Sequence, residues 1–128
     1  MSIMDLNLRE IDKRVAVELG WSDIYEPQYL GMGYDVVGTH PQGDQFPIPK
    51  YSKDAIYAEV VRQEIERRGW TWWLWKNKSP KKGWVATVDI EPHFEYYGES
   101  TYSPHIALCL AFLAACDGER MVSNGSTL

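Results

Sequence analysis

The sequence predicts an α+β chain in which a small antiparallel sheet of two to four strands is layered with about three helices as an α/β/α sandwich. Three observations predict it. Two segments carry apolar residues at helical spacing, the period switches to two at Trp70, and the run Ile106 to Cys116 is apolar nearly all round. A helix of that last kind must be covered on more than one side, which requires layers.

The first helix is expected over Leu8 to Leu19. Asn7 caps it, Glu10 is the capping-box partner, and Leu8, Ile11, Val15 and Leu19 recur on one face. Gly20 is a natural stop. Arg9, Asp12, Lys13 and Glu18 are expected toward water.

Residues 21–50 show no clear period. They hold several Gly and Pro, with short strands expected only near Tyr34 to Val37. So long a connection reads as a functional loop or a partly disordered insert, and its aromatic residues argue against full disorder.

A second helix follows, capped by Ser52, with Asp54 at its positive end. Ile56, Val60 and Ile65, with Val61 beside them, form its expected core stripe, and Gly69 ends it.

Trp70 to Lys76 reads as a strand, Asn77 to Gly83 as a turn, and Trp84 to Glu91 as the returning strand. In the second strand Trp84, Ala86, Val88 and Ile90 share one face, and Val85, Thr87, Asp89 and Glu91 the other. Pro92 ends it or forces a bulge. Phe94 to Tyr97 is a third strand, and Gly98 to Ser103 a loop.

Ser103 and Pro104 open the last helix. Asp117 and Gly118 are expected to close it, leaving 119–128 as a frayed tail. The 128 residues suit a single domain, and a hydrophobic share of 45% is enough for a core without staples.

Composition narrows the function classes. The net charge of −5 excludes a general nucleic-acid binder, which would be basic. The aromatic share of 13%, with six Trp and eight Tyr, suits contact surfaces as well as cores. Cys109 and Cys116 lie about 10 Å apart along a helix, too far to bridge, and read as small buried hydrophobes. Met1 to Arg9 lacks the apolar core of a secretory signal, and no stretch approaches about 18 apolar residues. The expected location is the cytoplasm.

The order of pieces resembles a known family. REIDKRVAVELGW, YSKDAIYAEVVRQEIERRGW, the paired strands and STYSPHIALCLAFLAACDG together look like the phage ABA-sandwich family of small phage and prophage proteins. The match covers about Leu8 to Trp21 and Pro49 to Gly118, and residues 21–50 depart from it. The resemblance implies an α/β/α layered domain, a phage origin and therefore the host cytoplasm. It implies no catalytic residues. Phage accessory proteins of this size often disable host defence, by binding a defence protein or by sequestering a nucleotide signal.

Four sets of residues stand out as site candidates. Trp73 and Trp75 share a strand face, opposite Trp70, Trp72 and Leu74. Either helices cover both faces, or Trp73 and Trp75 form an exposed aromatic platform. Asp89, Glu91, His93 and Glu95 alternate onto one face. They make a solvated surface, an acidic contact for a basic protein, or a weak divalent-metal set of Asp89, Glu91 and His93. The cations Lys76, Lys78, Lys81 and Lys82 either sit in water or supply phosphate contacts beside the Trp rings. In the insert, Tyr25, Tyr29, Tyr34, His40, Asp44 and Phe46 suit a recognition loop or packing around the core.

Catalysis has little support. No GxSxG or P-loop occurs, no cofactor motif is present, and the three His are scattered. The residues favour a noncatalytic protein that binds a host protein, in the manner of an anti-CRISPR or other anti-defence factor. The alternatives are a nucleotide-sequestering protein and, behind it, a metal-dependent hydrolase. A second copy of the chain stays open as a partner.

Overall fold

The computed structural model describes residues 7–26, 36–77, 83–90 and 94–125, and the backbone alone of 123–125. Among these residues it has three helices and two three-stranded antiparallel sheets, an α+β fold.

Helix α1 spans Leu8–Glu18. The Asn7 side chain accepts from the Glu10 N–H at 2.8 Å, as the capping signature predicts. Ile11, Val15 and Ala16 are buried. Asp12 does not simply face water. Its Oδ1 accepts from the Ser52 N–H at 2.9 Å, and burial raises its carboxyl above the usual range.

The segment after α1 forms the strands β1 (Ser22–Tyr25), β2 (Val37–Thr39) and β3 (Gln45–Pro47), paired in that order. A tight turn joins β2 to β3. The His40 N–H donates to the Asp44 carbonyl at 2.7 Å, and Gly43, at φ +105°, donates back to the His40 carbonyl at 2.7 Å. Trp21, Val36 and Ile48 are buried and tie this small sheet to the core.

Helix α2 spans Ala55–Arg67. Asp54, not Ser52, holds its N-cap position, without a side-chain capping bond. The expected stripe is rotated. Ala58, Val61 and Ile65 are buried, while Ile56 is 79% and Val60 39% exposed. Only one flank of α2 is covered, and the covered flank is the one at spacing three and four from Val61.

The main sheet consists of β4 (Thr71–Lys76), β5 (Trp84–Ile90) and β6 (Phe94–Ser100), with β5 in the centre. Strand β6 runs three residues beyond the expected Tyr97. Gly98 is the reason. A β-carbon there would lie 2.1 Å from the Ala107 carbonyl oxygen, so the glycine marks a close helix–strand approach, not a loop.

Helix α3 spans Pro104–Gly125. Ser103 Oγ caps it, accepting from the His105 N–H at 3.0 Å. It does not end at Asp117 and Gly118, and 119–125 continue it in place of the expected fray. The Tyr96 ring occupies the space beside Gly118, where a β-carbon would fall 2.2 Å from ring carbon atoms. Arg120 then binds Glu18 Oε2 at 2.6 Å and Asp117 at 3.3 Å, holding the added turns to α1.

The layers follow from α3. Its residues Ala107–Leu113, with Ala115 and Cys116, are buried. Each fully covered Leu or Phe contributes about 1.5–3 kcal/mol. One side of α3 packs on β4, β5 and β6, and α1 and α2 pack on α3 in turn. Arg68 joins the helical layer. It binds Glu64 at 2.7 Å and the α1 carbonyl of Glu18 at 2.9 Å, and its guanidinium carbon lies 5.1 Å and 5.2 Å from the Trp70 and Phe112 ring centroids. Among the described residues no helix is long and apolar enough to cross a membrane.

Candidate functional site

The site begins with strand alternation. Trp72, Leu74, Ala86, Val88, Tyr96 and Gly98 pair across the sheet on the face that α3 covers. The positions between them must point the other way. They form three cross-strand rows: Thr71–Asp89–Glu95, Trp73–Thr87–Tyr97 and Trp75–Val85–Glu99.

This second face is open. Trp73 is 63%, Trp75 43% and Tyr97 50% exposed. Of the two readings left by the sequence, covering on both faces and an exposed platform, the exposed rings favour the platform. Trp73 and Tyr97 stand two strands apart, about 10 Å, with buried Thr87 between them. The outer strands thus supply large rings, and the central strand supplies small side chains as a floor.

The charge on this face has one sign. Asp89, Glu95 and Glu99 lie among the rings, and among the described residues no Lys or Arg alternates onto it. The Tyr97 hydroxyl donates to Glu95 Oε2 at 2.6 Å, and that bond raises the phenol's pKa.

The other expected site residues are dispersed. Lys76 falls on the opposite face from Trp73 and Trp75, and its Nζ lies 5.8 Å from the Trp84 ring centroid. It does not place a cation beside the platform. Tyr25 ends β1 in the small sheet, opposite Val37, and is 47% exposed. Tyr29, Tyr34, Lys78, Lys81, Lys82, Glu91 and His93 lie outside the described residues. Among the described residues no three His, Cys, Asp or Glu side chains group to hold a metal ion.

Cys109 and Cys116 are free and buried. Burial pushes both thiols up, Cys116 to about 12, so they stay protonated and poorly nucleophilic. His40 packs edge-on to Trp21, with ring centroids 5.0 Å apart, and its Nδ1 accepts from the Gln42 N–H at 3.0 Å. No base and nucleophile converge among these groups.

A concave surface lies between α2 and the small sheet. It is a trough of about 710 Å³ lined in part by Trp21, Phe46, Tyr51, Tyr57 and Val60. Its Arg67 is already engaged by both oxygens of Glu64, at 2.7 and 2.6 Å.

Sequence reasoning missed Tyr97, Glu99, Thr87 and Val85 as members of the platform. The signal was available. Carrying the alternation of β6 through Gly98 would have set Tyr97 and Glu99 beside the two Trp rows.

No protein-family model matches the chain, and no curated protein matches it in sequence. Its structure is similar to a phage protein from Bacillus cereus ATCC 14579, with a TM-score of 0.65 and 19% sequence identity, over 88% of this chain and 89% of that one. At that identity the shared property is the fold.

Proposed function

We propose that the chain is a noncatalytic phage accessory protein that binds a host protein through the open face of β4, β5 and β6. Its role is to inhibit host antiviral defence. The observation that carries this reading is the exposure of Trp73, Trp75 and Tyr97 together on one face of the sheet. Large rings at little entropic cost are the usual anchors of protein interfaces. Rings that stay 43–63% exposed support a protein partner better than a small molecule, which is held in a pocket that buries most of its surface.

The charge argues against a nucleotide at this face. Among the described residues of this face, a phosphate brought beside Asp89, Glu95 and Glu99 would meet only like charge. The fold shared with a phage protein supports the phage setting.

The test uses the whole chain immobilised and exposed to lysate of a bacterial host, beside a calorimetric panel of cyclic and linear nucleotides. Retention of one specific host protein, with no heat from any nucleotide, is the expected outcome. Heat from a nucleotide with no protein retained would reverse the assignment.

A further inference from the structure

The open sheet face carries more than exposed rings. It has a polarity across the strands. Strand β4 presents Trp73 and Trp75, the outer positions of β6 present Glu95 and Glu99 around Tyr97, and Asp89 on β5 lies in the same row as Glu95. An indole wall therefore faces a carboxylate wall across a floor of Thr87 and Val85, each 6% exposed. The walls stand about 10 Å apart, twice the strand spacing.

We infer that the segment this face takes is a cationic one: an extended stretch of the partner bearing Arg or Lys at alternate positions, its charged ends among Asp89, Glu95 and Glu99 and its stems on Trp73 and Trp75. The inference rests on the protein-binding reading above and adds the partner's chemistry to it.

Three physical arguments lead to this occupant. First, an indole face attracts a cation, and a guanidinium can lie flat on it while its nitrogens donate to a carboxylate. The chain already uses that combination internally, where Arg62 sits 5.6 Å from the Trp72 ring centroid and binds Glu59 at 2.8 Å. Second, the side chains of an extended segment repeat on one side at every second residue, about 7 Å apart, which matches the spacing of successive rows along β5. Third, a second copy of this chain is a poor occupant, because among the described residues its own face offers no Lys or Arg to these carboxylates. The overall charge of −5 adds attraction at longer range.

The experiment uses the full chain with indole nitrogens labelled, Trp73 and Trp75 being assigned through single Trp→Phe variants. The probe is a synthetic peptide alternating Arg and Thr. The same peptide with Glu in place of Arg, and ATP, are the comparison ligands. The Arg peptide is expected to shift the Trp73 and Trp75 indole signals and not that of buried Trp70. Its affinity should fall about tenfold in Glu95→Gln/Glu99→Gln and weaken as salt rises.

Equal affinity in the Gln variant, a shift with the Glu peptide or ATP, or self-association that Trp73→Ser abolishes would each overturn the inference. The two readings fail separately. If the Gln variant still captures the host protein while Trp73→Ser/Trp75→Ser does not, protein binding stands and the cationic partner falls.

Discussion

Gly98 and Gly118 show how a single residue can mean opposite things. In the sequence both look like breaks, one ending a strand and one ending a helix. In the structure both are fillers of zero size: Gly98 admits the backbone of α3 and Gly118 admits the Tyr96 ring. A glycine signals a turn or a close approach with equal force, and only the neighbouring layer decides which. Gly98→Ala puts a methyl 2.1 Å from a carbonyl oxygen and 2.5 Å from the Ala111 nitrogen, both backbone atoms that no rotamer can move. The expected loss is about 3 kcal/mol, the upper end for overpacking, read as a lowered denaturant midpoint. An unchanged midpoint would mean that α3 and β6 are not in this contact. The Trp pattern was easier to read. Alternation gave Trp73 and Trp75 one face and Trp72 and Leu74 the other, as the register has it, and Trp70, just before the strand, is buried as that pattern expects. Which face stays open was not legible, since ring-bearing residues are equally at home under a helix or in an interface.

Elements with a strong period were legible, and those without one were not. Helix α1, the three strands of the main sheet and the start of α3 all follow from spacing and caps. Strands β1, β2 and β3 are three or four residues long, too short for a two-residue period to declare itself, and Asp23 at φ +49° breaks the first of them. Helix α2 has apolar residues on two flanks, so its buried side was open to either choice. Its charged end carries a pH dependence. Hydrogen bonds from Arg67 first, then from Arg68, hold the Glu64 carboxyl below its ordinary value, against the opposing effect of burial. A folded-state pKa lowered in this way stabilises above the unfolded value near 4.5 and is lost as pH falls through the folded one. Glu64→Gln should therefore cost about 1–2 kcal/mol at neutral pH and progressively less below about pH 4. Asp12 works in the opposite direction, its raised pKa favouring the fold at low pH, but it is common to both proteins and cancels in the difference. Melting curves across the acid range provide the check. A constant gap between variant and parent at every pH would place Glu64 outside the ion pairs.

At the scale of the whole molecule, three layers explain why one surface is left over. Helix α3 is apolar nearly all round because it lies between the sheet and the pair α1 and α2. The helices are thereby used up on one side of the sheet. What the sequence presented as an ambiguous, ring-rich strand is half core and half open platform, with acidic side chains among its rings. The scaffold and the platform are partly separable in energy, because the core lies under α3 while the exposed parts of the indoles contribute chiefly to any interface they enter.

That separation sets the decisive measurement: the affinity of the captured host protein for the parent chain, for Trp73→Ser/Trp75→Ser, and for Ile56→Ser/Val60→Ser. The last pair alters apolar residues exposed on α2, which is not part of the open face of β4, β5 and β6. The account predicts that the Trp variant loses about a hundredfold or more in affinity while still unfolding cooperatively above the assay temperature, and that the α2 variant binds as the parent does. Full affinity in the Trp variant, or its loss in the α2 variant alone, would contradict the assignment of the open sheet face as the binding surface.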